Sequence, residues 1–472
     1  MPSASTMAVA SASLATLAFV SPTVAPHTTA ARSASASAVG AASQGQSGYA
    51  GKAAMAGAKP YHITRGEMLL AEGTPTAKFQ LGEEGRREKR KVKSTRAARV
   101  AMNAAKVDSV CILGCSGAVG QEIGGTTATP EMLKCLEDRD FPTEKVRLFG
   151  NRSAGSTVSS KKFGDIAPWV EGFSLEAVQE CDICLMAVSG DFSKEWAPKI
   201  LGCTSSGAKH DEHFERIAGG PKNTQVIDNS SAWRYDEDKP LVIPEINGEG
   251  RVGEPLIANP NCTTAVGAMA LWPIHQKYKL KKVLMSTYQA ASGAGAEGMA
   301  ELENGLATWV KDGAVPKPEF FAHQLPFNVI PQIDKFQENG YTKEEMKVTW
   351  ELQKIFGLDD DVKVACTAVR VPTLRAHSES ITVETEEPIS PDDVRELLKS
   401  APGVKVVDEP GSLKYPMPLN ATGNYDVEVG RIRQSIVFGE KGIEFFVSGD
   451  QLLRGAALNA VIIAENAVKA HA

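Results

Sequence analysis

Short apolar runs at 110–113, 146–149, 183–188 and 224–227 alternate with stretches of helical periodicity. This alternation predicts a parallel sheet with helices on its faces, an α/β fold. The first run passes into a glycine turn and then a helix. Another helix is read over 263–272, directly after Ala258-Asn259-Pro260-Asn261-Cys262. Residues 203–221 are polar and irregular and read as a surface insertion. Cys181 and Cys184 stand in the apolar stretch CDICLMAV, which reads as a buried strand rather than a redox or zinc site.

The first hundred residues break this pattern. Residues 1–66 contain no Asp or Glu and are dense in Ala, Ser and Thr. Such a segment cannot bury a core and has the makeup of an organelle transit peptide. Through residue 101, 13 Lys/Arg stand against 5 Asp/Glu, a net of +8, whereas the whole chain carries −6. The remainder is therefore strongly acidic, which argues against nucleic acid as a partner. The stretch MAVASASLATLAFV at 7–20 is too short and weakly apolar to span a bilayer. With ATLAFVSP at 15–22, it looks like the junction of the bipartite leader of complex algal plastids. Residues 1–102 are read as an unfolded targeting leader, and the mature protein is expected in the plastid stroma, away from membranes.

Two features carry chemistry. Cys262 follows Asn-Pro-Asn at a helix N-terminus, where the macrodipole favours a thiolate. A lowered pKa is expected there. The second is Gly114-x-x-Gly117-x-x-Gly120 after the first run. Its glycines, with Ser116, Ala118 and Val119, let the backbone approach a phosphate at the start of a helix. At the end of the second run come Arg152 and Ser153, with no carboxylate. An Arg at this point accommodates a 2′-phosphate, which favours NADP over NAD. His210 and His213 beside Asp211 and Glu212 read as a solvated face rather than a metal site; no metal is expected.

In order along the chain stand GCSGAVG, NRSAG, DNSSAWR (228–234), IPEIN (243–247), ANPNCTT, STYQAASGAG (286–295), FNVIPQID (327–334), GYTKEEMK (340–347), RVPTLRAHSES (370–380), VGRIR (429–433) and LRGAALNA (453–460). In these motifs the chain resembles the aspartate-β-semialdehyde dehydrogenase family from about residue 107 to 470. The resemblance implies a Rossmann-type NADP-binding domain over 103–261, joined by 452–472. It implies an α+β catalytic and dimerisation domain over 262–451. The implied reaction is reductive dephosphorylation of L-4-aspartyl phosphate to aspartate semialdehyde and phosphate, on the way to lysine, threonine, methionine and isoleucine. The expected assembly is a homodimer or homotetramer.

The resemblance also implies roles for residues. Cys262 is the nucleophile that forms a thioester, His377 the acid/base and Gln289 the residue that orients the acyl group, with Asn261 beside the nucleophile. Arg370 is expected to bind the substrate carboxylate, Arg234 and Lys347 the phosphate, and Glu345 the substrate amino group. Ser292, Gly293 and Asn459 match positions near the cofactor. On a regular strand, residues seven apart face opposite sides. Periodicity alone would therefore choose Arg375, two before His377, unless Pro372 marks a bulge; Arg375 stays as the alternative. Departures from the family pattern are Cys115 and Ser116 in the glycine turn, Ser156 where a Lys is usual, and extra residues at 124–130. N-acetyl-glutamyl-phosphate reductase, the nearest rival, carries its cysteine in a Gly-Cys-Tyr-Pro context. A catalytically dead paralogue should have lost at least one of Cys262, Gln289, Arg370 and His377.

Overall fold

The computed structural model describes residues 106–115, 131–151, 153–158, 160, 162–163, 169–205, 214–216 and 224–470, all within one compact unit, Lys91–Ala472. Residues 1–102, Ser116, Gly117, Ala118, Val119, Arg152, His210 and His213 lie outside the described residues.

The first eight strands are β1 Val107–Leu113, β2 Thr143–Phe149, β3 Val170–Glu171, β4 Ile183–Met186, β5 Cys203–Ser205, β6 Phe214–Arg216, β7 Gln225–Asp228 and β8 Leu256–Ala258. Six of them form a wholly parallel sheet in the order β3-β2-β1-β4-β7-β8. The chain leaves β1 first towards one edge and then towards the other, so the order reverses between β1 and β4. In doubly wound sheets ligands bind at that switch, beyond the strands' carboxyl ends. β5 and β6 pair as a small antiparallel hairpin within the polar insertion.

Helices α1 Glu131–Asp138, α2 Leu175–Gln179, α3 Gly190–Ile200 and α4 Pro244–Asn247 connect these strands. Val110 and Ile112 of β1 face one core with Met132 and Leu136 of α1, whereas Cys111 and Leu113 face the other with Ala197 and Ile200 of α3. A strand buried on both faces reads as a continuous apolar run, which is why VCIL lacks alternation.

Next comes α5, Cys262–Tyr278, which runs well past the expected end at 272 and contains Pro273. It is apolar nearly all round because it is buried nearly all round. A second sheet has the order β10-β9-β11-β14-β13-β12, from β9 Leu280–Gln289, β10 Lys363–Arg370, β11 His377–Thr385, β12 Val404–Val406, β13 Val427–Ser435 and β14 Gly439–Gly449. It is mixed: β10 runs parallel to β9, and β11 antiparallel to both β9 and β14. β9 alternates, with Val283, Met285, Thr287 and Gln289 turned inward and Leu284, Ser286 and Tyr288 outward. The inward side packs on α5; the outward side leaves Leu284 47% and Tyr288 40% exposed.

The remaining helices are α6 Gly295–Asp312, α7 Lys343–Phe356, α8 Pro391–Lys399, α9 Pro418–Ala421 and α10 Leu458–Ala470. α10 returns to the parallel sheet, where Val461 and Ile463 share a core with Ile112, Leu185 and Ile227. No helix among the described residues is long and apolar enough to cross a membrane.

Candidate active site

Cys262 is the first residue of α5, and Asn261 is its N-cap. The Asn261 Oδ1 accepts the amides of Thr263 at 3.0 Å and Thr264 at 3.2 Å, satisfying two donors that a helix start leaves open. Of the eight cysteines, Cys262 alone is partly exposed. A helical turn at Leu453–Ala457 lies against it so closely that a Cβ on Gly455 would stand 2.7 Å from the Cys262 Cβ. Only glycine leaves room there.

The ends of three strands lie side by side in the second sheet. Gln289 closes β9, Arg370 closes β10 directly beside it in register, and His377 opens β11. The His377 Nδ1 accepts the Ala290 amide at 3.1 Å. The neutral ring therefore holds its proton on Nε2, which is buried and has no hydrogen-bond partner. A Cβ on Gly293 would lie 3.0 Å from both this nitrogen and Nη1 of Arg370, so the two side chains converge over Gly293. Nη1 of Arg370 also donates to the Ala290 carbonyl at 2.5 Å, and its guanidinium lies over the Phe321 ring. Burial, reinforced by the Arg370 charge, pushes His377 down to about 3. Its ring is neutral at physiological pH.

α7 brings the charged groups. Its N-cap is Thr342 in a capping box with Glu345: the Thr342 amide donates to Glu345 Oε2 at 2.6 Å. The other Glu345 oxygen accepts the Ala368 amide at 2.9 Å. Glu345 is thus occupied by the helix cap and β10. The carboxylate that faces the cysteine is its neighbour Glu344. Its Oε1 accepts from Asn261 Nδ2 at 3.0 Å and Gln289 Nε2 at 3.5 Å, and its Oε2 from Lys347 Nζ at 2.9 Å. Burial works to raise Glu344, but the Lys347 charge and these hydrogen bonds prevail and hold it below the usual carboxylate range. Lys347 also pairs with Asp334 at 2.9 Å. Arg234 lies on the far side, donating to the carbonyls of Asn259 and Asn229 and to Glu351.

Together these side chains gather a thiol, an imidazole N–H, three cations and the hydrogen-bonded Glu344 carboxylate. Residues 109–251 match the family described as semialdehyde dehydrogenase, NAD binding domain, and residues 271–454 that described as semialdehyde dehydrogenase, dimerisation domain. The aspartate-semialdehyde dehydrogenase of Aquifex aeolicus is 42% identical over 364 residues, 76% of this chain and 98% of its own. The chain belongs to the aspartate-semialdehyde dehydrogenase family. A crystal structure of aspartate semialdehyde dehydrogenase II from Vibrio cholerae, complexed with ASA, is 36% identical with a TM-score of 0.66, covering 76% of this chain and 98% of that one. The Candida albicans enzyme, solved with NADP, is 20% identical and shares the fold at a TM-score of 0.54, covering 76% and 98%. The protein is accordingly an oxidoreductase of amino-acid biosynthesis that uses a nicotinamide dinucleotide.

The resting thiol has a setting opposite to the one expected at a helix start. Burial, then the Glu344 carboxylate, push Cys262 up to about 11 against the pull of Arg234, Lys347 and Arg370. The helix N-terminus does not produce the lowered value expected of it. Below its pKa, the thiolate fraction grows about tenfold per pH unit. Alkylation of the free enzyme by iodoacetamide should therefore climb steadily from pH 7 to 10. Glu344→Gln removes a charge that raises the thiol, so it should speed alkylation at pH 8 roughly threefold. A wild-type rate that levels off near pH 7 would contradict this setting.

Arg375 is not the partner of the cysteine pocket. It pairs with Glu131 of α1 at 2.6 Å and Asp450 at 2.7 Å, tying the first helix of the parallel sheet to the end of β14. Periodicity misjudged the pair because Arg370 and His377 lie on different strands; Pro372 belongs to the connection between them, not to a bulge.

At the cofactor end, Gly114 turns at φ +87, and any Cβ on it would collide with the Ala187 carbonyl beyond β4. A glycine-only turn at the sheet's switch point suits the close approach of a pyrophosphate. Ser153 sits in the turn after β2. Ser292 is hydrogen-bonded by Gln451, whose Oε1 accepts the Ala376 amide at 2.9 Å next to His377. Asn459 donates to Asn259 Oδ1 at 2.6 Å, and Asn259 donates to Asn229 Oδ1 at 2.8 Å. This asparagine chain links α10, the loop before Cys262 and the Arg234 segment.

Proposed function

We propose that the enzyme reduces L-4-aspartyl phosphate with NADPH, through a thioester on Cys262. The observation that carries this reading is the convergence of Arg370 and His377 over Gly293, together with Glu344, held by Asn261, Gln289 and Lys347, beside Cys262 at the α5 N-terminus. Arg370 binds the substrate α-carboxylate as a fork-shaped donor. Glu344, rather than Glu345, takes the ammonium, and Arg234 with Lys347 takes the phosphate. Gln289 and Asn261 hold the acyl group over the sulfur.

Attack by Cys262 forms the C–S bond and breaks the C–O bond to phosphate. The thiol proton ends on the departing phosphate, so the step balances without any outside base. His377 assists with its Nε2–H, which is buried, unpartnered and free to donate a hydrogen bond to the oxygen that gains charge. That donation stabilises the tetrahedral species. Bound NADPH supplies the hydride for the thioester carbonyl. Gly114 and the glycine-rich residues 116–120 would hold its pyrophosphate, Ser292, Gly293 and Asn459 would lie near its nicotinamide, and Arg152 with Ser153 would meet its 2′-phosphate.

The exposed outer side of the second sheet, with Leu284 and Tyr288, suits docking of a second copy as a homodimer. Residues 1–102 serve as a plastid leader in this reading; a cytosolic reporter fused to them would refute it. The enzymatic reading is tested by assaying the full chain with aspartate semialdehyde and phosphate, with NADP and NAD in parallel. NADP reduction that requires phosphate is expected. Arg152→Ala should raise the KM for NADP by about tenfold, the scale of one charged hydrogen bond, and leave that for NAD unchanged. Equal use of both cofactors by the wild type would overturn the NADP assignment.

A further inference from the structure

Glu351 is fully buried on α7, and no part of the proposed chemistry uses it. One of its oxygens, Oε1, accepts from Arg234 Nη1 at 3.1 Å and from the Tyr235 hydroxyl at 3.2 Å. The other, Oε2, accepts the backbone amide of Asn261, the residue before the nucleophile, at 2.5 Å. A single carboxylate thus holds a cation of the pocket and the loop that presents the thiol.

The rest of α7 strengthens this connection. Glu344, Lys347, Glu351 and Lys354 recur at spacings of three and four, so they share one helix face. The first two enter the pocket. Lys354 donates to the carbonyls of Arg234 at 3.0 Å and Lys239 at 2.8 Å, gripping the same segment that Glu351 holds. One rigid helix therefore sets the pocket's carboxylate and ammonium in register with the Arg234 segment.

Buried ion pairs are poor sources of stability, because desolvation offsets their attraction. Geometry is what this one supplies. Arg234 has five N–H donors, and three are spent on Asn259, Asn229 and Glu351. The remaining two are aimed by those three anchors. Of the anchors, Glu351 alone is a charged side chain.

We infer that Glu351 is a positioning residue of the phosphate half-site, fixing the Arg234 guanidinium and the Asn261 amide in one arrangement. This rests on the reading of Arg234 as a phosphate ligand. A glutamine at 351 keeps the volume but loses the charge, and its amide cannot accept from both Arg234 and Asn261. In Glu351→Gln the KM for phosphate should rise about tenfold, while the KM for aspartate semialdehyde stays within about twofold. A merely structural role would lower Tm and activity without separating the two KM values, and that result would overturn the inference.

Should Glu351→Gln not fold, Glu351→Asp serves instead. It keeps the charge but withdraws it by one methylene, and a threefold or larger rise in phosphate KM alone is expected of it, on the scale of one weakened hydrogen bond. Unchanged phosphate KM in a folded variant would overturn the inference. Arg234→Ala is measured alongside. If it leaves phosphate KM unchanged, the reading of Arg234 itself fails. If it raises that KM and the Glu351 variants do not, only the role of Glu351 falls.

Discussion

Replacing Cys262 by Ala is expected to abolish turnover, by about 10⁴-fold or more, the scale on which a nucleophile's loss is felt. The other seven cysteines are buried and cannot substitute for it. Removing the sulfur leaves Arg370, Lys347 and Arg234 in place, so the substrate should still bind. Gly114 lies on the separate parallel sheet, so cofactor affinity should be unchanged within about twofold. Cys262→Ser tests the chemistry further. An oxygen ester forms more slowly and accepts hydride less readily than a thioester, so this variant should be nearly as inactive as Ala. Turnover above about 1% of wild type in Cys262→Ala would remove the cysteine from the mechanism.

His377→Ala is expected to lower kcat by about 10² or more, the scale of losing a donor aimed at the oxygen that gains charge. Its Nε2–H is a neutral hydrogen-bond donor into the pocket, with the ring held by the Ala290 amide on one side and by the Gly293 backbone's close approach on the other. The same burial has a consequence for stability. His377 titrates near 3 in the fold and near its ordinary value when unfolded. Between those values only the unfolded chain binds the proton, so native stability falls as pH falls. From pH 6.5 to 5 this amounts to roughly 2 kcal/mol for one group. Comparing Tm of the wild type and His377→Ala at pH 7 and pH 5 checks it. The wild type should lose more on acidification, and identical losses would show that the ring is not held neutral.

The parallel sheet was legible because its strands are buried on both faces. The runs at 110–113, 146–149, 183–188 and 224–227 became β1, β2, β4 and β7, with ends moved by one to three residues. Asn261 and Cys262 announced the start of α5 through cap chemistry that is local by nature. Its end was hidden by Pro273, which this helix tolerates.

What stayed illegible depends on tertiary contacts. Glu344 and Glu345 differ by one position, yet only one faces the thiol. The signal that separates them was present: Thr342-x-x-Glu345 is a capping-box spacing, which assigns Glu345 to the helix start. Strand periodicity alone pointed to Arg375 rather than to Arg370, the residue the resemblance implies, because it held only if the chain did not leave the strand. The thiol's raised pKa needs the burial of α5 and the approach of Glu344, neither visible along the chain. Glu351 was missed because a charge at helical spacing reads as a solvated face.

The most direct test of the account is to search for the acyl-enzyme itself. Full-length protein is incubated with aspartate semialdehyde and NADP in the absence of phosphate, and its peptides are mapped by mass spectrometry. An aspartyl thioester is expected on the Cys262 peptide alone, absent from Cys262→Ala and discharged when phosphate is added. Turnover without any adduct on Cys262, or an adduct that phosphate does not release, would contradict it.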